Sequence, residues 1–121
     1  MSCNPSNADF RPANYNIQIW QNNTWSQILQ LTANTVPIDL TGALVEIQIR
    51  TRPTSTTALL TLTSGHGLTV GGINHNQITI NQAVSIAAGS YVYDLTIQFP
   101  NQNVKTYIWG NFIVFQDITQ L

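Results

Sequence analysis

Charge is scarce in this chain. Four basic and five acidic residues are spread over 121 positions, 7% of the total, against roughly a quarter in an average soluble protein. No basic cluster is present, which argues against a nucleic-acid partner, because phosphate neutralisation needs several cations on one surface. The five acidic residues are scattered singly, so no carboxylate pair of the glycosidase kind is visible. The single Cys3 excludes an internal disulfide and a cysteine-based zinc site. His66 and His75 stand in Gly- and Asn-rich loops with no companion ligands, and are expected to be solvent-exposed. No Gly-x-Ser-x-Gly elbow and no glycine-rich phosphate loop opening a helix can be found. These absences point away from an enzyme, a metal site and a cofactor. Apolar runs fall far short of the roughly 20 residues that span a bilayer. Residues 1–14 lack the basic and apolar regions of a signal peptide, so folding in the cytoplasm is expected.

Asn, Gln, Thr and Ser replace the missing charge. Such a surface hydrogen-bonds well, but a net charge of −1 repels neighbours weakly. A free monomer would be poorly protected from association; a subunit of a larger assembly needs no such protection.

The dominant periodicity is two. Tyr15, Ile17 and Ile19 alternate with polar residues, as do Val45, Ile47 and Ile49, and then Tyr91, Tyr93, Leu95, Ile97 and Phe99. This is the pattern of antiparallel strands with one wetted face. Asn22-Asn23 reads as a hairpin loop; Thr41-Gly42, Gly65-His66-Gly67, Gly71-Gly72 and Pro100-Asn101 separate the remaining runs. Strands are expected at 14–20, 24–31, 43–50, 58–63, 68–70, 77–80, 90–99 and 104–116, with one helical turn possible at 82–88. Seven to eight short strands at this spacing predict an all-β, antiparallel β-sandwich or barrel over residues 14–121, and the tyrosine pattern at residues 88–93 favours the sandwich. Residues 1–13 have the composition of an extended N-terminal arm, with Phe10 and Pro12 as its apolar anchors. The predicted core comprises Val45, Ile47, Ile49, Leu60, Leu62, Ile78, Ile80, Tyr91, Tyr93, Leu95 and Ile97.

Two local features refine this picture. Gly89 followed by Tyr91 at the head of a long strand has the form of the tyrosine corner of immunoglobulin-like domains; ordinary core aromatics would leave the same pattern. In the last strand Tyr107, Trp109, Ile113 and Phe115 share one parity, and Ile108, Phe112 and Val114 the other. Both faces are apolar, with Gly110 a candidate bulge or bend. One face must be covered by this chain or by a partner. The expected partner interface comprises Phe10, Pro12, Trp20, Ile108, Phe112 and Val114. An alternative use of the aromatics is sugar stacking, with Trp20, Trp25, Trp109 and the four tyrosines as candidate platform and Asn and Gln as partners for hydroxyls.

Pro37-Ile38-Asp39-Leu40-Thr41-Gly42-Ala43-Leu44-Val45-Glu46-Ile47-Gln48-Ile49-Arg50 and Ala88-Gly89-Ser90-Tyr91-Val92-Tyr93-Asp94-Leu95 resemble a family of tailed-phage virion proteins. Leu59-Leu60-Thr61-Leu62-Thr63 and Gly71-Gly72-Ile73 fill the intermediate positions in the family's order, so the resemblance runs from about residue 14 to 117. That family is similar to the immunoglobulin-like N-terminal domain of receptor-binding baseplate proteins. The resemblance implies an immunoglobulin-like fold and a structural role in the virion, assembled in the host cytoplasm. The expected function is a baseplate or tail-fibre adaptor present in multiple copies, whose partners are other proteins of tail, baseplate or capsid. A capsid decoration protein, or less readily a carbohydrate-binding module, is the alternative. The chain stops where larger relatives continue into a fibre or receptor-binding region, which favours attachment over direct host recognition.

Overall fold

The computed structural model describes residues 12–120, so Phe10 and most of the expected arm lie outside the described residues. Eleven strands follow in order: β1 (Ala13–Asn14), β2 (Ile17–Trp20), β3 (Thr24–Gln30), β4 (Thr32–Ala33), β5 (Val36–Pro37), β6 (Leu44–Arg50), β7 (Leu60–Ser64), β8 (Gly67–Gly71), β9 (Gln77–Ala83), β10 (Gly89–Gln98) and β11 (Val104–Phe115). The eight expected runs all form strands. The extra ones arise because Tyr15–Asn16 interrupts the first run, and because residues 32–37 make a small hairpin. Asn34 and Thr35 at its tip both have positive φ (51° and 65°), the requirement of a tight two-residue hairpin turn.

Nine strands form one sheet in the order β1-β11-β10-β6-β7-β8-β9-β3, with β2 also paired to β11. The sheet curls so that its ends face each other: Trp25 on β3 meets Tyr93 on β10 and Phe112 on β11, with ring centroids 5.9 and 5.2 Å apart. The turn between the layers passes through Gly65 and Gly67, at φ of 90° and 91°, a conformation that a side chain disfavours. The result is an immunoglobulin-like β-sandwich. Tyr91 supplies the tyrosine corner, its hydroxyl donating to the Ala87 carbonyl at 2.6 Å. Tyr91→Phe should therefore lose about 1 kcal/mol, read as a fall of a few degrees in Tm with the fold intact.

Most pairs are antiparallel, but β1 and β2 run parallel to β11, and β7 meets β8 through two parallel positions. The purely antiparallel expectation is thereby corrected: the N-terminal strand adds to the free edge of the last strand and runs in the same direction. The helical turn considered for 82–88 does not form. Residues 82 and 83 extend β9 along β3, and Val84 exchanges backbone hydrogen bonds with Asn22 and Asn23 at 2.6 and 3.0 Å.

The core lies between the layers. Ile47, Ile49, Leu62, Ile78, Ile80, Leu95, Ile97 and Phe112 are fully buried, with Val45 and Tyr93 nearly so; Leu60 and Tyr91 are half-buried and pack against them. Among the described residues one polar side chain joins this interior. Asn76 donates from Nδ2 to the Leu31 carbonyl at 2.9 Å, and its backbone carbonyl accepts from the Leu31 amide at 2.9 Å; among the described residues no buried side-chain polar atom lacks a partner.

Candidate functional site

Two features of the outward surface stand out, both on the layer made by β6, β10 and β11. The first is a largely apolar strip along the outward parity of β11, interrupted by the exposed Asn111. Trp109, Asn111, Ile113 and Phe115 follow one another there, about 20 Å from end to end at strand spacing. Parallel pairing sets Trp20 beside Phe115; their rings lie 5.9 Å apart, tilted by 41°. Trp20 is 47% exposed, Trp109 45% and Phe115 41%, so three large aromatics face outward on neighbouring strands.

The second feature is a groove of about 240 Å³ lined by Gln48, Arg50, Pro53, Val92, Tyr93, Asp94 and Trp109. Strand register builds it. Gln48, Asp94 and Trp109 stand abreast across β6, β10 and β11, and Arg50 lies opposite Val92 in the next row. Arg50 donates from Nε and Nη2 to Gln48 Oε1 at 3.1 and 2.5 Å and from Nη1 to the Ser55 carbonyl at 2.6 Å. The Gln48 amide in turn donates to Glu46. Crowding by its neighbours partly desolvates the Asp94 carboxyl and raises it above its ordinary value; Arg50 opposes the rise and Glu46 adds to it. Three of the chain's nine charged residues thus share one sheet face.

The residues expected at a partner interface separate. Trp20 is exposed as expected, and Pro12 is half-buried ahead of β1. Phe112 and Val114 are corrected: they face this chain's own core, Phe112 completely buried and Val114 2% exposed. Ile108 is half-buried and packs against the same cluster. The physical reason is parity: Ile108, Gly110 and Phe112 stand opposite the inward Leu95, Tyr93 and Tyr91, which leaves the other parity, Trp109 to Phe115, for solvent.

Gly110 also has a role other than the expected bulge. The bulge falls at Tyr107, where pairing skips from Leu95↔Ile108 to Thr96↔Thr106. Gly110 instead admits the N-terminal strand: a Cβ there would lie 2.2 Å from the Tyr15 carbonyl oxygen. That carbonyl accepts a hydrogen bond from the Tyr93 hydroxyl, and burial, with a further contribution from Tyr15, raises the Tyr93 phenol.

Of the tryptophans expected as sugar platforms, Trp25 is only 5% exposed; its indole N–H donates to Gln27 Oε1 at 3.1 Å. His66 and His75 are exposed. Among the described residues no three His, Cys, Asp or Glu side chains come together as a metal-binding group, and no helix is long and apolar enough to cross a membrane. The groove was not foreseen from the sequence. Its only advance signal was the outward parity of Gln48, Arg50, Asp94 and Trp109.

No family model matches the chain, and no curated protein matches it. Among solved structures it is similar to the crystal structure of CopC from Methylosinus trichosporium OB3b, at 16% identity and a TM-score of 0.40, over 64% of this chain and 67% of that one. At that level the likeness bears on neither family nor activity.

Proposed function

We propose that this chain is a non-enzymatic virion structural protein of a tailed phage, an adaptor that joins a tail or baseplate component to a fibre or other appendage. The observation that carries the assembly part of this reading is the outward aromatic pair of Trp20 and Phe115, whose rings meet at 5.9 Å on neighbouring strands. Contiguous exposed apolar surface marks an interaction site, and with nine charged residues in 121 the remaining surface does little to oppose association. The phage setting comes from the resemblance of Pro37–Arg50 and Ala88–Leu95 to virion proteins. The first of these segments leads into β6 and the second into β10. The turn of the first segment is built by Asp39, which accepts hydrogen bonds from the Thr41 amide and hydroxyl at 2.9 and 2.6 Å. Those bonds hold the Asp39 carboxyl below its ordinary value.

The test is to raise antibodies against the chain and image particles from cultures of the host that carries its gene. Labelling at the tail or baseplate supports the adaptor. Labelling over the capsid shell would replace it by a decoration protein, and absence from particles would end both. The Trp20→Ser/Phe115→Ser double variant should keep its Tm within a few degrees, since both side chains are exposed. It should nevertheless enter particles roughly tenfold less well, the effect expected on losing an aromatic anchor.

A further inference from the structure

We propose that the groove on the outer face of β6, β10 and β11 is a subsite for one neutral hexose ring of a glycan, stacked on Trp109 and hydrogen-bonded by Asp94 and Arg50. This goes beyond the assembly role and does not depend on it.

The row Gln48–Asp94–Trp109 crosses three adjacent strands, about 10 Å at ordinary strand spacing, which accommodates a single sugar ring. Trp109 is nearly half exposed and offers a flat apolar surface to the C–H face of a pyranose, the use for which an amphipathic aromatic at a wet boundary is suited. Beside it, among the described residues, no donor reaches the Asp94 carboxylate, so its oxygens are left to accept from sugar hydroxyls. Arg50 has five N–H donors; three are committed to Gln48 and the Ser55 carbonyl. The guanidinium is therefore held in place with two donors left for ring or hydroxyl oxygens. A few fixed polar groups beside an apolar wall are the makings of a small-molecule site, and fixing them in advance lowers the entropic cost of binding.

Charge selects the class of sugar. Glu46 and Asp94 against Arg50 leave this face with one net negative charge, which disfavours a carboxylated or sulfated ring. A cationic group would stand against Arg50, which lines the groove itself. A neutral polyol avoids both penalties.

The full chain, 15N-labelled, is titrated with lactose, maltose and N,N′-diacetylchitobiose while the indole N–H signals of its three tryptophans are followed. At least one disaccharide should bind with a Kd of about a millimolar, as befits one ring. The Trp109 signal should move while that of the buried Trp25 stays still. Followed through the backbone amide signals of Gln48 and Asp94, which share a row with Trp109, Trp109→Ala should abolish binding, and the milder Asp94→Asn should weaken it at least roughly fivefold with the spectrum otherwise preserved. The proposal is overturned if none of the three sugars moves the Trp109 signal at 100-fold excess over about a millimolar. It is also overturned if binding survives Trp109→Ala, or if methylguanidinium or sialic acid binds more tightly than every neutral sugar. Because the readout uses the isolated chain, failure here is distinguishable from failure of the particle-labelling experiment.

Discussion

Phe112→Ala should destabilise the domain by about 3–5 kcal/mol, a large part of the 5–15 kcal/mol that typically holds a domain of this kind together. Phe112 is fully buried and sits at the meeting point of the two layers. Its ring lies 5.2 Å from Trp25 on β3 and 6.0 Å from Tyr93 on β10, so alanine would open a cavity that neither layer can close without moving the other. Trp25 and Tyr93 also meet each other, edge to face at 5.9 Å, and losing the third ring removes aromatic contacts in addition to area. Phe112→Leu keeps most of the volume and should cost less than about 2 kcal/mol. Urea unfolding of the isolated chain measures both. A cost below about 1 kcal/mol for alanine would mean that this face is not core and belongs to a partner after all.

Gly110→Ala should destabilise by about 3 kcal/mol or more, against the usual preference for alanine over glycine in a strand. The added Cβ would stand 2.2 Å from the Tyr15 carbonyl oxygen and 2.8 Å from its carbon. Those are backbone atoms, which cannot swing aside as a side-chain tip can. Relief requires the N-terminal strand to lift from β11. Three attachments then loosen together: the Tyr15 amide to the Trp109 carbonyl at 2.8 Å, the Tyr93 hydroxyl to the Tyr15 carbonyl, and the Asn111 amide to Asn16 Oδ1 at 3.0 Å. Thermal unfolding gives the magnitude, and hydrogen exchange at the Tyr15 and Asn111 amides should show where protection is lost. The sign alone is diagnostic: a stabilised alanine variant would show that residues 15–16 do not cross at Gly110.

Alternation by itself determined most of the strands and, where only one parity is apolar, which side of the strand is buried. Val45, Ile47 and Ile49, and likewise Tyr93, Leu95 and Ile97, lie inward as their spacing requires, because a period of two permits only one apolar face per strand. Gly89 and Tyr91 announced the tyrosine corner because its hydrogen bond is local, spanning four residues. The last strand was different. With apolar residues on both parities, its spacing could not say which face belonged to the core. Only the pairing of Gly110 with Tyr93 and of Phe112 with Tyr91 turned Phe112 and Val114 inward and left Trp109 and Phe115 outside. The groove is likewise tertiary: Gln48, Asp94 and Trp109 are far apart along the chain and share a row through the register of β6, β10 and β11. The demand for glycine at position 110 is of the same kind, since what approaches it is the backbone of residue 15, some 95 positions away. Strand character and facing are consequences of near neighbours, which a sequence displays in order. Register and close approach depend on which distant strands meet, and the free energy that decides it comes from packing the two layers together.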